Sequence, residues 1–595
     1  MDSGNPAAMV LEARAGGGGG HGSDDPAVIA AAAAATHDNE QLSKYLYIIC
    51  GSVCAAVIAW KVIDISTKWV RTLVCLNNDR QRYFALPSPN LAFLKRHVLY
   101  APVLRKRHNR EIQLSTAINV GTLPTRFQLL FLTAYFATNV AFCVIDISFS
   151  DDYTSVTRLL RNRTGVLSVI NMVPLFLLAG RNNPLIPLLG ISFDTYNLLH
   201  RWFGRIVILE AVAHTIAHLA KGGWGEALGR IWTSPFLLWG FIATVAFVFL
   251  GVQAWSPLRH AFYEIFKLLH IAAAALSIVG VWYHLKLGEL EQLPYLYGVI
   301  GLWAGDRAAR ALRVVYNNFG RSGTRTVIEA LPGDTVRLTM TLARPWRARP
   351  GQHAYIYMPS ISFWQSHPFS VTWTEGTDDL TADKLASTHQ ERKALQKMQV
   401  SFVIRARTGF TNTLYEKAAT APSGKMSATC YVEGPYGAKH PLDSYGTVVL
   451  FAGGVGVTHQ VPYVKDLVQG FAAGTVATRK ILLVWTIQSP EHLEWIRPWM
   501  TEILGMDRRR DVLRVMLFVS QPRSTKEIHS PSSTVQMFPG RPNIETLLSM
   551  EQEQQVGAMA VSVCGPGTLS DEVRRVVRRR QSRSSIDFIE EAFSW

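Results

Sequence analysis

The sequence predicts a membrane-embedded all-α bundle of seven helices, followed by a cytoplasmic module built from a small antiparallel β-barrel and an α/β nucleotide-binding domain. Three observations carry that prediction. Apolar runs long enough to cross a bilayer recur at about 44–63, 127–148, 165–180, 198–220, 235–255, 262–284 and 292–312. From Val327 the texture changes to short alternating segments such as 336–342 and 354–357, interrupted by Gly and Pro. From Thr447 it changes again, to an apolar strand over 448–451, a glycine turn over 452–457, a helix toward Phe471 and a second buried strand over 481–485. The boundaries follow: a tail over 1–43, a bundle over 44–315, a barrel over 316–445 and the α/β domain over 446–595.

The tail, with its glycine run Gly16 to Gly20 and alanine run Ala30 to Ala35, lacks the charged start and apolar middle of a secretory signal and reads as disordered. The link after the first apolar run carries many Lys and Arg between Lys68 and Arg110, against only Arg14 and Lys44 before that run. The positive-inside rule therefore sends the first helix from outside to inside, which leaves the tail extracellular and the C-terminal module cytoplasmic. Within that link the basic stretch 95–110 reads first as a solvated topology signal, and second as a surface for anionic lipid or for the cytoplasmic module. The sequon Asn162-Arg-Thr164 falls in an outside loop on this reading. The third run ends in Gly180-Arg-Asn-Asn-Pro184, where the Asn-Pro step stops a helix.

Composition excludes some classes. Net charge is +16, but the cations cluster beside apolar runs and late in the chain instead of interleaving with aromatics, so no nucleic-acid partner is expected. Six scattered cysteines suggest neither a disulfide scaffold nor a thiolate metal site.

The fourth and sixth runs each carry two histidines at one spacing, His200 with His214 and His270 with His284. Fourteen residues are nearly four helical turns, so both members of a pair share a face, about 21 Å apart along the axis. Ionisable groups at membrane depth are functional candidates whose partners must be named. If the two helices run parallel, as the span count requires, His200 meets His270 and His214 meets His284. Two imidazoles at each of two depths suit six-coordinate haem that passes electrons and binds no gas. His218 shares the face of His200, but its counterpart position is Gly288, so His214 is the preferred ligand.

In the cytoplasmic part, His367-Pro-Phe-Ser370, Arg405-Ala-Arg-Thr-Gly-Phe-Thr411, Glu433-Gly-Pro-Tyr-Gly437, Gly453-Gly-Val-Gly-Val-Thr458 and Cys564-Gly-Pro-Gly567 occur in the order of a ferredoxin-reductase-like flavoprotein module. A glycine beside a helix N-terminus lets backbone N–H groups approach phosphate. With the histidine pairs and Gly180-Arg-Asn-Asn-Pro184 in front, residues 45–595 resemble a fungal ferric reductase of the plasma-membrane type, a relative of the NADPH oxidases.

That resemblance implies two b-type haems, FAD and NADPH as cofactors, with ferric chelates or siderophores as acceptors outside, cupric ion as a further acceptor, and an iron permease and oxidase system as a partner at the membrane. It assigns His367, Pro368, Phe369 and Ser370 to the flavin-contacting strand, and Arg405, Gly409 and Thr411 to the FAD pyrophosphate. It assigns Gly453, Gly454, Gly456 and Thr458 to the nicotinamide-nucleotide diphosphate, and Cys564, Gly565 and Pro566 to the segment beside the nicotinamide. Cys564 and Trp595 are the catalytic candidates, Trp595 covering the flavin ring by stacking unless it simply packs on the domain surface. Two positions depart from the family pattern. Gln488 stands where an arginine for the 2′-phosphate of NADPH is expected, which leaves NADH open, and His459 follows the glycine turn where a smaller residue is commoner.

Two other functions fit parts of the same pattern. A superoxide-producing NADPH oxidase shares the wiring and differs in its acceptor. A histidine-lined channel or transporter with a nucleotide-sensing domain would use the same intramembrane imidazoles without haem.

Overall fold

The computed structural model describes residues 26–110, 120–221, 224–320, 323–346, 348–377, 397–522, 530 and 532–591. Helix α1 (Pro26–Cys75) starts inside the stretch expected to be tail, so residues 26–43 are helical and only 1–25 lie outside the described residues. The reason is local. Proline suits the first turn, the alanine run has the highest helix propensity, and no second proline interrupts the helix before Cys75.

Helix α2 (Arg126–Val144) opens on a capping box in which Thr125 accepts from Gln128 N and Gln128 accepts from Thr125 N. Helix α3 (Tyr153–Ala179) starts from an Asp152 cap that accepts from Ser155 N at 3.0 Å. The sequon therefore lies within a helix and not in a loop, and Thr164 is buried with its hydroxyl on Leu160 O. The remaining long helices are α4 (Phe193–Lys221), α5 (Pro235–Gln253), α6 (Tyr263–Leu287) and α7 (Leu293–Asn318).

Helices α1 to α6 are long and apolar enough to cross a membrane. The seventh expected span, 292–312, is not among them, because the second half of α7 carries Asp306, Arg307, Arg310 and Arg313. Its apolar first half still packs into the bundle, with Trp303 against Phe176 and Tyr295 against Tyr47. Its polar end enters the barrel, where Asn318 donates to Val432 O and accepts from Val432 N, both at 2.8 Å, and Asn317 donates to Gly434 O at 2.8 Å.

Two antiparallel sheets form the barrel. One has the order β5 (Trp373–Thr377), β6 (Lys397–Arg405), β2 (Thr335–Thr341), β1 (Arg325–Leu331), β7 (Lys425–Ala428). The other is β8 (Tyr431–Tyr436), β3 (His353–Met358), β4 (Ser362–Ser370), with helix α8 (Phe410–Ala419) alongside. The polar excursion expected over 375–399 lies mostly outside the described residues, and its two ends are paired in β5 and β6.

The last domain is a six-stranded parallel sheet. Its order is β12 (Val535–Pro539), β11 (Leu513–Val519), β10 (Lys480–Ile487), β9 (Thr447–Gly453), β13 (Met559–Cys564), β14 (Ile586–Glu591). Helices α9 (Val457–Ala473) and α10 (Gly567–Arg580) cover it. Strand β9 is buried along its whole length, as the central strand of a sheet covered on both faces should be. The chain changes direction between β9 and β13, which in open α/β sheets opens a binding crevice at their carboxyl ends.

Bundle and module are joined by buried charge. Glu433 on β8 is fully buried and accepts from Arg181 at 3.2 Å, Arg310 at 2.9 Å, the Tyr357 hydroxyl at 2.9 Å and the Tyr436 hydroxyl at 2.8 Å. Burial alone would favour its neutral acid, but the two guanidiniums hold its carboxyl below the usual range. The basic stretch 95–110 is a docking surface and not merely a solvated topology signal. Lys95 pairs with Asp587 at 2.6 Å, His108 meets Asp571 at 3.2 Å, and Arg107 and Arg574 both close on Glu590. Edge strand β14 is thereby covered by the link that follows α1.

Replacing Glu433 by Gln leaves Arg181 and Arg310 buried without their counter-charge, so thermal unfolding of the solubilised protein should show a loss of about 3–5 kcal/mol. Asp587 is opposed by burial but drawn down by Lys95 from 3.8 to about 2. Its contribution to docking is therefore complete above 3.8 and is lost as pH falls through about 2. Protease sensitivity of the junction should stay flat from neutral pH down to mild acid and rise only below that.

Candidate functional site

Helices α4 and α6 lie parallel and bring their histidines together in two pairs. The ring centroids of His200 and His270 are 6.3 Å apart with planes at 69°, and those of His214 and His284 are 6.1 Å apart with planes at 80°. Two imidazoles sharing one ion at a metal–nitrogen distance of about 2.0 Å have centroids about 6.2 Å apart. Both gaps therefore fit one ion that the two imidazoles of a pair would hold between them.

The tautomers fit as well. His200 Nδ1 donates to Leu175 O at 3.1 Å, His214 Nδ1 to Arg161 O at 2.7 Å, and His284 Nδ1 to Phe236 O at 2.9 Å. A carbonyl can only accept, so the proton is on Nδ1 and the lone pair on Nε2 is free to ligate. His270 Nδ1 is buried without a partner among the described residues, and its ring rests beside Phe266.

These contacts depend on two glycines that the helical pattern did not single out. A Cβ on Gly165 of α3 would lie 2.6 Å from His214 Nδ1, and one on Gly240 of α5 would lie 2.7 Å from His284 Nδ1. Both rings lie directly against a neighbouring helix backbone, which any side chain there would prevent. The sequence holds no period that links position 165 to 214 or 240 to 284.

The expected flavin strand lies at the start of α6. His367, Pro368, Phe369 and Ser370 are on β4, an edge strand that tolerates a proline. His367 stacks on Phe410 at 4.4 Å, and its Nε2 is 3.9 Å from Glu264, two turns before His270 on α6. Gln365 also donates to Glu264 O at 3.2 Å. Burial, with the Lys267 and Arg181 cations, pushes His367 down to about 4, so it is neutral near pH 7. Gly409 caps α8 at φ 56°, where a side chain would be strained, and Thr411 Oγ1 accepts from Arg407 N at 3.0 Å.

The expected nucleotide turn sits at the sheet's change of direction. Gly453 ends β9, Gly454 and Gly456 form the turn after it, and Thr458 lies in the first turn of α9 with its hydroxyl on Val455 O. Cys564 ends β13 and Gly565 and Pro566 follow it directly alongside: a Cβ on Gly453 would lie 2.5 Å from Pro566 Cδ, and one on Gly456 would collide with Cys564 O. The Cys564 thiol is buried, and burial together with Glu591 pushes it well above the ordinary thiol range. Arg405, at the end of β6, donates to Gln488 at 3.3 Å and so bridges barrel and α/β domain. Trp595 lies outside the described residues. His459, unexplained by the family pattern, is buried beneath the barrel beside Tyr463 and Gly351.

Gly165→Ala and Gly240→Ala should each displace one ring of the His214/His284 pair. Losing such a supporting contact costs about 10–100-fold in metal affinity. Metal analysis should find about half the wild-type content in either variant, with the His200/His270 centre retained.

Three family models match in order along the chain: a ferric reductase like transmembrane component over residues 164–281, an FAD-binding domain over 322–440, and a ferric reductase NAD binding domain over 445–578. Relatives match across nearly the whole length. Ferric/cupric reductase transmembrane component 2 of Saccharomyces cerevisiae is 24% identical, over 93% of this chain and 78% of its own. Ferric reductase transmembrane component 3 of the same yeast is 26% identical, over 86% and 73%. Ferric/cupric reductase transmembrane component 1 of Candida albicans is 24% identical, over 84% and 67%. A multi-pass helical bundle, an antiparallel FAD-binding domain and a parallel NAD-binding domain, arranged in this order, make the chain a member of the ferric reductase family.

Proposed function

We propose that this protein is a plasma-membrane ferric-chelate reductase that takes electrons from cytoplasmic NADPH and delivers them to ferric chelates outside, with cupric chelates as a second substrate. The observation that carries the reading is the pair of one-ion gaps between α4 and α6, on helices whose cytoplasmic end touches the flavin strand through Glu264 and His367. Bound FAD would turn a two-electron hydride donor into a source of single electrons, and two bound b-type haems would carry them through the lipid.

The chain's own residues prepare each stage. His200 and His270 would hold the inner haem, His214 and His284 the outer one, each ring aimed by its carbonyl, phenyl or glycine neighbour. His367 and Phe369 would present a flat wall to the flavin ring, with Gly409, Thr411 and Arg405 at its pyrophosphate. Gly453, Gly454, Gly456 and Thr458 would cradle the dinucleotide diphosphate at the N-terminus of α9, where backbone N–H groups favour anions. Trp595 would shield the flavin until nicotinamide displaces it. With the module inside, an inside-negative potential favours outward electron movement by about 2.3 kcal/mol per charge per 100 mV.

Purified protein given NADPH should colour a ferrous chelator without producing superoxide, and its reduced-minus-oxidised spectrum should be that of low-spin haem, reduced by about half in His214→Ala. A dismutase-sensitive signal would reassign the protein as an oxidase. A colourless preparation that conducts ions would reassign it as a channel.

A further inference from the structure

The bundle buries one carboxyl group that neither the histidine pairs nor the docking of the module uses. Glu210 lies on α4 between His200 and His214, at 6% exposure. By helix rise it is about 15 Å beyond His200 and about 6 Å short of His214. Asn171 of α3, fully buried, turns its amide nitrogen toward both Glu210 oxygens, at 3.1 and 2.9 Å, and donates to Asn139 Oδ1 of α2 at 2.6 Å. Tyr135 of α2 donates its hydroxyl to Asn171 Oδ1. Three helices thus converge on one carboxyl group.

Among the described residues no Lys, Arg or His forms an ion pair with Glu210. The titratable groups that face it are Tyr135 and Cys143 of α2, with Tyr47 and Cys50 of α1 behind Tyr135 and Arg163 of α3 beyond Cys143. Arg163 is turned away, its Nη1 donating to Phe142 O at 3.1 Å and Ile145 O at 3.0 Å. A glutamine would fill the same volume and meet Asn171 without the cost of ionisation. An acid at this depth is warranted only where its charge is used.

We propose that Glu210 is the proton-coupling residue of the His214/His284 centre, a carboxylate while that centre is oxidised and a neutral acid while it is reduced. The inference rests on the haem reading above. A ferric porphyrin held by two neutral imidazoles has a core charge of plus one, and the ferrous form has none, so the carboxylate balances the first state and the acid the second. When an electron reaches the centre, Glu210 takes one proton from water, forming an O–H bond. When the electron leaves to the outside acceptor, the O–H bond breaks and the proton returns to water. Local charge then stays constant through each transfer, which matters in a medium where an unbalanced charge is costly.

The test is a spectroelectrochemical titration of the full-length, haem-loaded protein as a function of pH. In the wild type one of the two haem waves should fall by up to about 59 mV per pH unit, the one-electron equivalent of a tenfold change in proton concentration, and the other should stay flat. Glu210→Gln should flatten the sloping wave, whereas Tyr135→Phe and Cys143→Ser should leave it sloping. The same slope in wild type and Glu210→Gln, or no slope in the wild type, overturns the assignment while leaving both haems in place. Absence of any haem spectrum overturns the reading on which it rests. Should Glu210→Gln fail to fold, the wild-type reduced-minus-oxidised infrared spectrum decides: a protonated-carboxyl C=O band that appears on reduction and shifts in D2O is expected, and its absence overturns the proposal.

Discussion

The structure depends on holding two imidazoles one metal ion apart, twice, at a depth where lipid supplies no hydrogen bonds. An imidazole left to itself in that medium would turn both nitrogens toward any available partner. Three of the four rings are prevented from doing so because Nδ1 is already donated to a backbone carbonyl. At the far end of the bundle that carbonyl is reachable only because Gly165 and Gly240 remove the side chain that would stand between helix and ring. Close α3–α4 and α5–α6 packing therefore does more than build a core. It fixes which nitrogen each histidine presents.

The FAD- and NAD-binding module must then meet the bundle at one place and one angle, since electron transfer falls off with distance. Two separate charge clusters impose this. Glu433 ties β8 to Arg181, in the turn after α3, and to Arg310 on α7, so it grips the barrel from two sides. Asp587 and Glu590 tie the outer strand of the α/β domain to the link after α1. The contact of His367 with Glu264 lies within this frame, and α6 carries it directly toward His270.

Periodicity explains what could be read from the sequence. The histidine pairing was legible because both partners sit on regular helices at one spacing, and the place of the glycine turn because it directly ends an apolar strand. What escaped was set by contacts between distant segments. Nothing around Gly165 marks it as the neighbour of a residue forty-nine positions later, and nothing in Glu433-Gly-Pro-Tyr-Gly437 shows that the acid would be clamped by two arginines of the bundle. The basic stretch 95–110 looked like topology signal because its partners, Asp587 and Glu590, come almost five hundred residues later. Helix α7 was legible only as an apolar run, and nothing local showed that its charged second half would carry Arg310 and Asn318 into the barrel. The helix over 26–43 was missed because a run of alanine is equally the composition of a low-complexity tail.

Two fully or nearly buried carboxyl groups show how surroundings, more than burial, decide what an acid does. Glu433 receives two guanidiniums and two phenol hydroxyls, so its charge is balanced in every state of the enzyme and its work is mechanical. Among the described residues Glu210 receives one amide and no cation, so as a carboxylate it is balanced only if positive charge arises nearby, and its position about one turn from His214 puts it where, on the proposed reading, such charge would arise and vanish with each electron. A fixed acid is kept where the protein must not move. An acid whose balance depends on the redox state is kept where charge itself must pass, and what separates the two roles is that, among the described residues, two guanidiniums meet Glu433 and none meets Glu210.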